Sequence, residues 1–156
     1  MDDVSISPVT KLTEDVCRLL DQSRQYQLDI YPAESINQID TDALLSSDLY
    51  FIGVYCESSL VGIGAFQGFR EDDVFAEIKN LFIDPDYRGR GLATHLMIAL
   101  QQQMKSEGYA LCRLETGVRQ PESIALYESC GFQMRGFYGQ YSDDPLSIFM
   151  EKSLLV

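Results

Sequence analysis

The stretch Ala76-Glu77-Ile78-Lys79-Asn80-Leu81-Phe82-Ile83-Asp84-Pro85, followed after two residues by Arg88-Gly89-Arg90-Gly91-Leu92-Ala93, decides how this chain is read. Val74 to Ile83 is a β-rich run that ends at Asp84-Pro85, so it predicts a strand. Gly91 to about Glu107 predicts a helix, with Leu92, Leu96, Ala99, Leu100 and Met104 along one side and Gly108 after its end. A glycine-rich turn between them presents unpaired N–H groups at the positive end of the helix dipole. Gly89 and Gly91 leave those groups open to approach, and Arg88 and Arg90 add positive charge. The turn therefore predicts an anion site. It is not a nucleoside-triphosphatase loop, because Leu92-Ala93-Thr94 replaces the Gly-Lys-Ser/Thr ending.

Upstream, Val4 to Val9 alternates apolar and polar residues as a strand does. Thr13-Glu14-Asp15 reads as a helix start, with Val16, Leu19, Leu20 and Ser23 at helical spacing until Tyr31-Pro32. Pro32-Ala33-Glu34 restarts a second helix towards Leu45, and Leu49–Cys56 and Leu60–Phe69 form a hairpin about Glu57-Ser58-Ser59. The Gly62-x-Gly64 pair inside that second strand signals close packing, not a dinucleotide fingerprint. Downstream come a strand over Ala110–Thr116, a short helix over Pro121–Ser129 and closing strands over Phe132–Tyr138 and Leu146–Leu154. The order β-α-α-β-β-β-α-β-α-β-β predicts an α/β fold with a mixed central sheet and flanking helices.

The 156 residues suit one domain spanning 1–156. A formal charge of −12 argues against nucleic acid or an anionic membrane as partner, since phosphate binding needs a basic face. The same charge serves solubility, or attracts a cationic, amine-bearing substrate. Met1-Asp2-Asp3-Val4 is acidic without an apolar segment behind it, so no signal peptide is expected. Cys17, Cys56, Cys112 and Cys130 show neither C-x-x-C nor metal-ligand spacing, so thiols, no metal and a cytoplasmic location are expected.

Two blocks narrow this reading. Arg88, Gly91 and Ala93 match the pyrophosphate motif R/Q-x-x-G-x-G/A of the GNAT superfamily of N-acetyltransferases, and Ile124-Ala125-Leu126-Tyr127-Glu128-Ser129-Cys130-Gly131-Phe132 resembles its A-x-x-L-Y-x-x-x-G-F signature. The resemblance covers residues 50–150 well and the first 45 by element order. It implies a sheet whose strands before and after the loop–helix unit splay apart around the arm of acetyl-coenzyme A. The backbone at Leu81, Phe82 and Ile83 would pair with the pantetheine amides. Backbone N–H groups of Arg88, Gly89, Arg90, Gly91, Leu92, Ala93 and Thr94 would take the pyrophosphate. Gln120 stands where many relatives carry Asn, and Ser123 stands in the usual Ala position, each within reach of the coenzyme.

The reaction so implied is direct attack of a primary amine, on a small molecule or a peptide, upon the thioester. Tyr127 matches the tyrosine that gives a proton to the leaving sulfur. Glu77 is the candidate base; it reads equally as a solvent-facing residue paired with Lys79. Acceptor contacts are expected from Gln27–Glu34 and Phe137–Pro145, with Tyr31, Tyr138 and Tyr141 as candidates for cation–π contact. His95 reads as helix surface. The motif stretches resemble a bacterial subgroup whose acceptors are unassigned, and the resemblance allows a homodimer without requiring one. A non-catalytic acyl-coenzyme A sensor is the alternative, since it would keep the loop and tolerate loss of Tyr127 and Glu77. A scaffold acting through the acidic surface would need no coenzyme at all.

Overall fold

The computed structural model describes residues 3–46 and 48–155; Met1 and Asp2, the start of the acidic N-terminal stretch, lie outside them. Among the described residues the elements are β1 (Val4–Pro8), α1 (Glu14–Ile30), β2 (Leu49–Cys56), β3 (Ser59–Phe69), β4 (Phe75–Ile83), α2 (Leu92–Ser106), β5 (Leu111–Gly117), α3 (Pro121–Ser129), β6 (Gln133–Arg135) and β7 (Ser147–Ser153). The strands form one sheet in the order β1-β2-β3-β4-β5-β7-β6. Every neighbouring pair is antiparallel except β4 and β5, which run parallel on either side of the α2 crossover. The sheet is thus mixed, as the element order predicts.

Local sequence sets the helices. The Thr13 hydroxyl accepts the Val16 N–H at 3.3 Å, and Glu14 and Asp15 face the positive end of α1. Val16, Leu19, Leu20 and Ser23 are its buried residues, as the spacing predicts. The three apolar ones pack with Phe51, Leu60, Ile63, Ala65 and Phe82. Leu92, Leu96, Leu100 and Met104 of α2 pack with Ile52, Val54, Val61, Ile78, Cys112 and Leu114, which alternate with the first set along the strands. Each fully buried leucine contributes about 2 kcal/mol, so the two layers clamp the sheet between them. A Cβ on Gly62 would lie 2.5 Å from Ile83 Cδ1 and 2.7 Å from Val54 Cγ1, which bears out the packing role of that glycine.

Two expected elements differ. The helix from Pro32 towards Leu45 is replaced by short 3-10 turns at Ala33–Ser35 and Thr41–Ala43. The intervening backbone bonds to side chains of β4. Asn80 Oδ1 accepts the Ile39 N–H at 2.9 Å, Asn80 Nδ2 donates to Ile39 O at 3.1 Å, and Lys79 Nζ donates to Asn37 O at 2.8 Å. A segment rich in Ser, Asn, Asp and Thr yields readily to such competition. The strand expected over Phe132–Tyr138 shortens to Gln133–Arg135, because the chain leaves the sheet at Gly136 and carries Tyr138 back over it.

Candidate active site

Strands β4 and β5 pair only at Ala76–Cys112 and Glu77–Arg113, and then part. The cause is local. The β3–β4 register slips between Ile63 and Ala65, and Asn80 opposite takes φ = +54° with its side chain pinned to Ile39. Such a bulge bends β4, whereas β5 stays straight against β7 through seven consecutive pairs. The opening is a cleft lined by Ile78, Lys79, Asn80 and Leu81 on one side and by Leu114, Glu115, Thr116 and Gly117 on the other, with Gln120, Ser123 and Tyr127 beside it. Along Leu81, Phe82 and Ile83 no β5 residue pairs with β4, so the cleft edge offers backbone groups to an added chain.

At one end of β4 lies the glycine-rich turn. Gly89 and Gly91 adopt φ = +79° and +76°, values that favour glycine, and nothing lies within 4 Å of where their Cβ atoms would be. Gly91 caps α2 without a side-chain bond, and the first turn holds no acidic residue, so nothing competes there with an incoming anion. Arg88 donates from Nε to Ile83 O at 3.1 Å and lies over the Phe82 ring, which fixes the turn to the strand. Arg90 stacks on Tyr87, and Thr94 and His95 are exposed, His95 as expected of a helix-surface residue. This cradle and the cleft fit a long, phosphorylated substrate such as acetyl-coenzyme A.

Deeper in the cleft, Tyr127 is buried with its ring edge-on to Phe132, and burial raises its phenol above the usual range. Glu115 enters the cleft from β5 and was not singled out by its sequence context. Its Oε2 accepts the Ser147 hydroxyl at 2.7 Å, and Asn37 lines the same cleft. Burial pushes this carboxyl up to about 7, against the opposing pull of Ser147, Lys79 and Asn37.

Glu77 is 2% exposed, which removes the solvent-facing alternative while keeping its pairing with Lys79 at 3.5 Å. Tyr138 donates to Glu77 Oε2 at 2.5 Å. Tyr141 meets Lys79 Nζ at 2.5 Å and packs edge-on to Tyr138 and Phe149. Arg113 spans Asp73 at 2.5 Å and Glu151 at 2.7 Å beneath Phe75 and Tyr138, which holds the floor of this region. Glu77 and Lys79 on β4 share one face with Arg113 and Glu115 on β5, as the Glu77–Arg113 register and period-2 alternation require. A wider basin opens over that face between Tyr138, Tyr141, Phe75 and the β3–β4 turn, and Asn37, Gln38 and Lys79 wall both it and the cleft.

Tyr31 lies apart from the other two tyrosines. It lines the cleft, accepts the Arg119 N–H at 3.0 Å, donates to Gln120 Oε1 at 3.2 Å and occupies the space of an absent Cβ at Gly117. The structure thus brings Tyr127, Gln120, Ser123 and Tyr31 together at the cleft, and Glu77, Tyr138 and Tyr141 together at the basin.

The Acetyltransferase (GNAT) family model matches residues 13–132. An IAA acetyltransferase of Azospirillum brasilense is 35% identical over 154 residues, covering 99% of this chain and all of that protein. The N-acetyltransferase YsnE of Bacillus subtilis is 30% identical over 125 residues, 79% of this chain and 82% of its own. A PaiA N-acetyltransferase from Thermoplasma acidophilum, solved in complex with coenzyme A, superposes with a TM-score of 0.79 at 20% identity over 97% of this chain and 99% of that one. Among the described residues, no helix is long and apolar enough to cross a membrane.

Proposed function

We propose, from the premise that the chain belongs to the acetyltransferase (GNAT) family, that this N-acetyltransferase moves an acetyl group from acetyl-coenzyme A to a primary amine of a small molecule or peptide by direct attack in a ternary complex. One observation carries the reading: a cleft suited to the donor and a basin suited to an acceptor abut at Asn37, Gln38 and Lys79, with ionisable side chains on both sides. Both substrates then meet without a covalent enzyme intermediate.

Backbone N–H groups from Arg88 to Thr94 hold the pyrophosphate, the edge at Leu81, Phe82 and Ile83 pairs with the pantetheine amides, and Gln120 and Ser123 contact the coenzyme. The acceptor nitrogen bonds to the thioester carbon while the carbon–sulfur bond breaks. The phenol of Tyr127, kept protonated by burial, gives its proton to the departing sulfur. The proton lost by the amine goes to the carboxyl pair Glu77 and Glu115. Glu115, near 7, is suited to be the final acceptor at neutral pH.

Basin charge supports an amine acceptor. Asp48, Glu71, Asp72, Asp73, Glu77 and Glu107 face it against Arg70 and Lys79, and the rings of Tyr138 and Tyr141 add π faces for an ammonium. The whole chain, 1–156, acts as one N-acetyltransferase domain, and its four unbridged cysteines support a cytoplasmic location.

Incubating the protein with acetyl-coenzyme A and a broad panel of amines, with free-thiol release as readout, tests the proposal. Turnover with at least one amine is expected. Tight coenzyme binding without thiol release from any of them would replace the reading with that of a non-catalytic sensor.

A further inference from the structure

The proposed reaction gives Tyr31 no part, yet the chain is shaped around this side chain. Tyr31 ends α1, where its N–H donates to Gln27 O at 2.8 Å and Pro32 follows. The residue is 6% exposed and fills the notch left by Gly117, where a Cβ would lie 2.3 Å from Tyr31 Cζ. The Arg119 guanidinium covers the ring and donates to Ile30 O, which ties the end of α1 to the loop between β5 and α3. From this packed seat the hydroxyl reaches Gln120, the residue that opens α3.

We propose that Tyr31 is a positioning residue for the coenzyme: its hydroxyl holds Gln120 Oε1 and thereby turns Gln120 Nε2 into the cleft as a hydrogen-bond donor to the bound coenzyme. The inference rests on the contact between Gln120 and the coenzyme proposed above.

Counting protons sets the direction. A phenol carries one hydrogen and can also accept. The Arg119 N–H donates to the Tyr31 hydroxyl at 3.0 Å, and the hydroxyl hydrogen goes to Gln120 Oε1 at 3.2 Å. An amide carries its oxygen and nitrogen on opposite sides, so fixing the oxygen fixes where the two N–H donors point. The reversed amide would bring N–H groups to the hydroxyl and cost the phenol hydrogen its acceptor. Gln120 makes no side-chain bond to the first turn of α3, and among the described residues no hydrogen bond engages its Nε2. Tyr31, Gly117, Gln120 and Ser123 line one cleft, beyond the point where β4 and β5 part. The donor is thus held in place before the ligand arrives. A free glutamine would lose its rotamer freedom on binding, and a side chain already fixed avoids that cost.

Tyr31→Phe, Gln120→Ala and the double variant test this, read by calorimetric affinity for coenzyme A. Phe keeps the ring in its notch, and water can serve the Arg119 N–H because Arg119 lies at the surface. Each single variant should bind about tenfold more weakly, and the double variant no more weakly than Gln120→Ala alone. Unaltered affinity in Gln120→Ala would remove the amide from the coenzyme and the proposal with it. A loss in Gln120→Ala beside none in Tyr31→Phe would overturn the positioning role alone, as would losses that multiply to about a hundredfold in the double variant. Nitrogen-15 spectra of the wild-type protein give a readout that needs no variant. The Gln120 side-chain amide signals should shift, and exchange more slowly with solvent, on addition of coenzyme A; signals that ignore the coenzyme would refute the proposal. Thiol release from the amine panel tests the transfer reading separately, and these affinities decide the role of Tyr31 whatever its result.

Discussion

Replacing Glu115 with Gln should make the protein more stable at alkaline pH while stopping its turnover. In the folded chain this carboxyl holds its proton up to about 7, against an ordinary value of 4.5, and burial is the main cause. The folded state therefore binds more protons than the unfolded state between those values, so stability falls as pH rises through that window. Below 4.5 both states are protonated, and the group is neutral and harmless. Above 7 both are ionised, and the folded state bears the full cost of a shielded charge. The interval between 4.5 and about 7, at about 1.4 kcal/mol per pH unit, sets that cost at about 3.5 kcal/mol. Glutamine has the same shape, accepts the Ser147 hydroxyl as before and carries no charge. Thermal unfolding at pH 8.5 should therefore show Tm raised by several degrees over wild type, with little difference at pH 4.5. Thiol release with the preferred amine should drop about a hundredfold or more. A stability difference that does not vary with pH, or a variant less stable than wild type at pH 8.5, would refute the assignment of a shielded, titrating carboxyl.

Tyr127→Phe keeps the ring packed on Phe132 and loses the proton donor, so kcat should fall about a hundredfold with coenzyme affinity, measured calorimetrically, unchanged; an equal rate would remove Tyr127 from the chemistry. Gly91→Val places a β-branched side chain at φ = +76° in the turn, at a cost of more than about 1–2 kcal/mol, and should weaken coenzyme binding at least about tenfold; unaltered affinity would show that the turn does not hold the pyrophosphate. Gly117→Ala would set a Cβ 1.9 Å from the Tyr31 hydroxyl, forcing that ring out of its clasp on Arg119 and Gln120, with Tm lowered by an amount equivalent to about 1–3 kcal/mol.

What was legible in the sequence follows from which interactions are local. The α1 start at Thr13, its four buried positions and its end at Tyr31-Pro32 depend on neighbours within a turn, and all are found as read. The Gly89 and Gly91 conformations are likewise intrinsic to the turn they build. The segment after α1 was misread because its backbone partners lie 41 and 42 residues away, on Asn80 and Lys79. No periodicity within Pro32–Leu45 reports such partners. The late strand was misread for the same reason: Tyr138 leaves the sheet to reach Glu77 across 61 positions.

The site followed a different rule. Tyr127 and the glycine turn carry motifs, so they were visible one residue at a time; Glu115 carries none, because its place in the cleft comes from register. The signal was nevertheless in the sequence as two charge pairs of opposite order, Glu77-x-Lys79 and Arg113-x-Glu115, in two runs read as strands. Period-2 alternation puts each pair on one face, and parallel pairing of Glu77 with Arg113 puts both on the same face. Four ionisable groups on the inner face of a central sheet are costly unless something uses them. One of them, Arg113, serves the floor with its partners Asp73 and Glu151. The remaining three, Glu77, Lys79 and Glu115, stand where cleft and basin meet, and in the proposed reaction that placement joins proton transfer to an anion-binding turn.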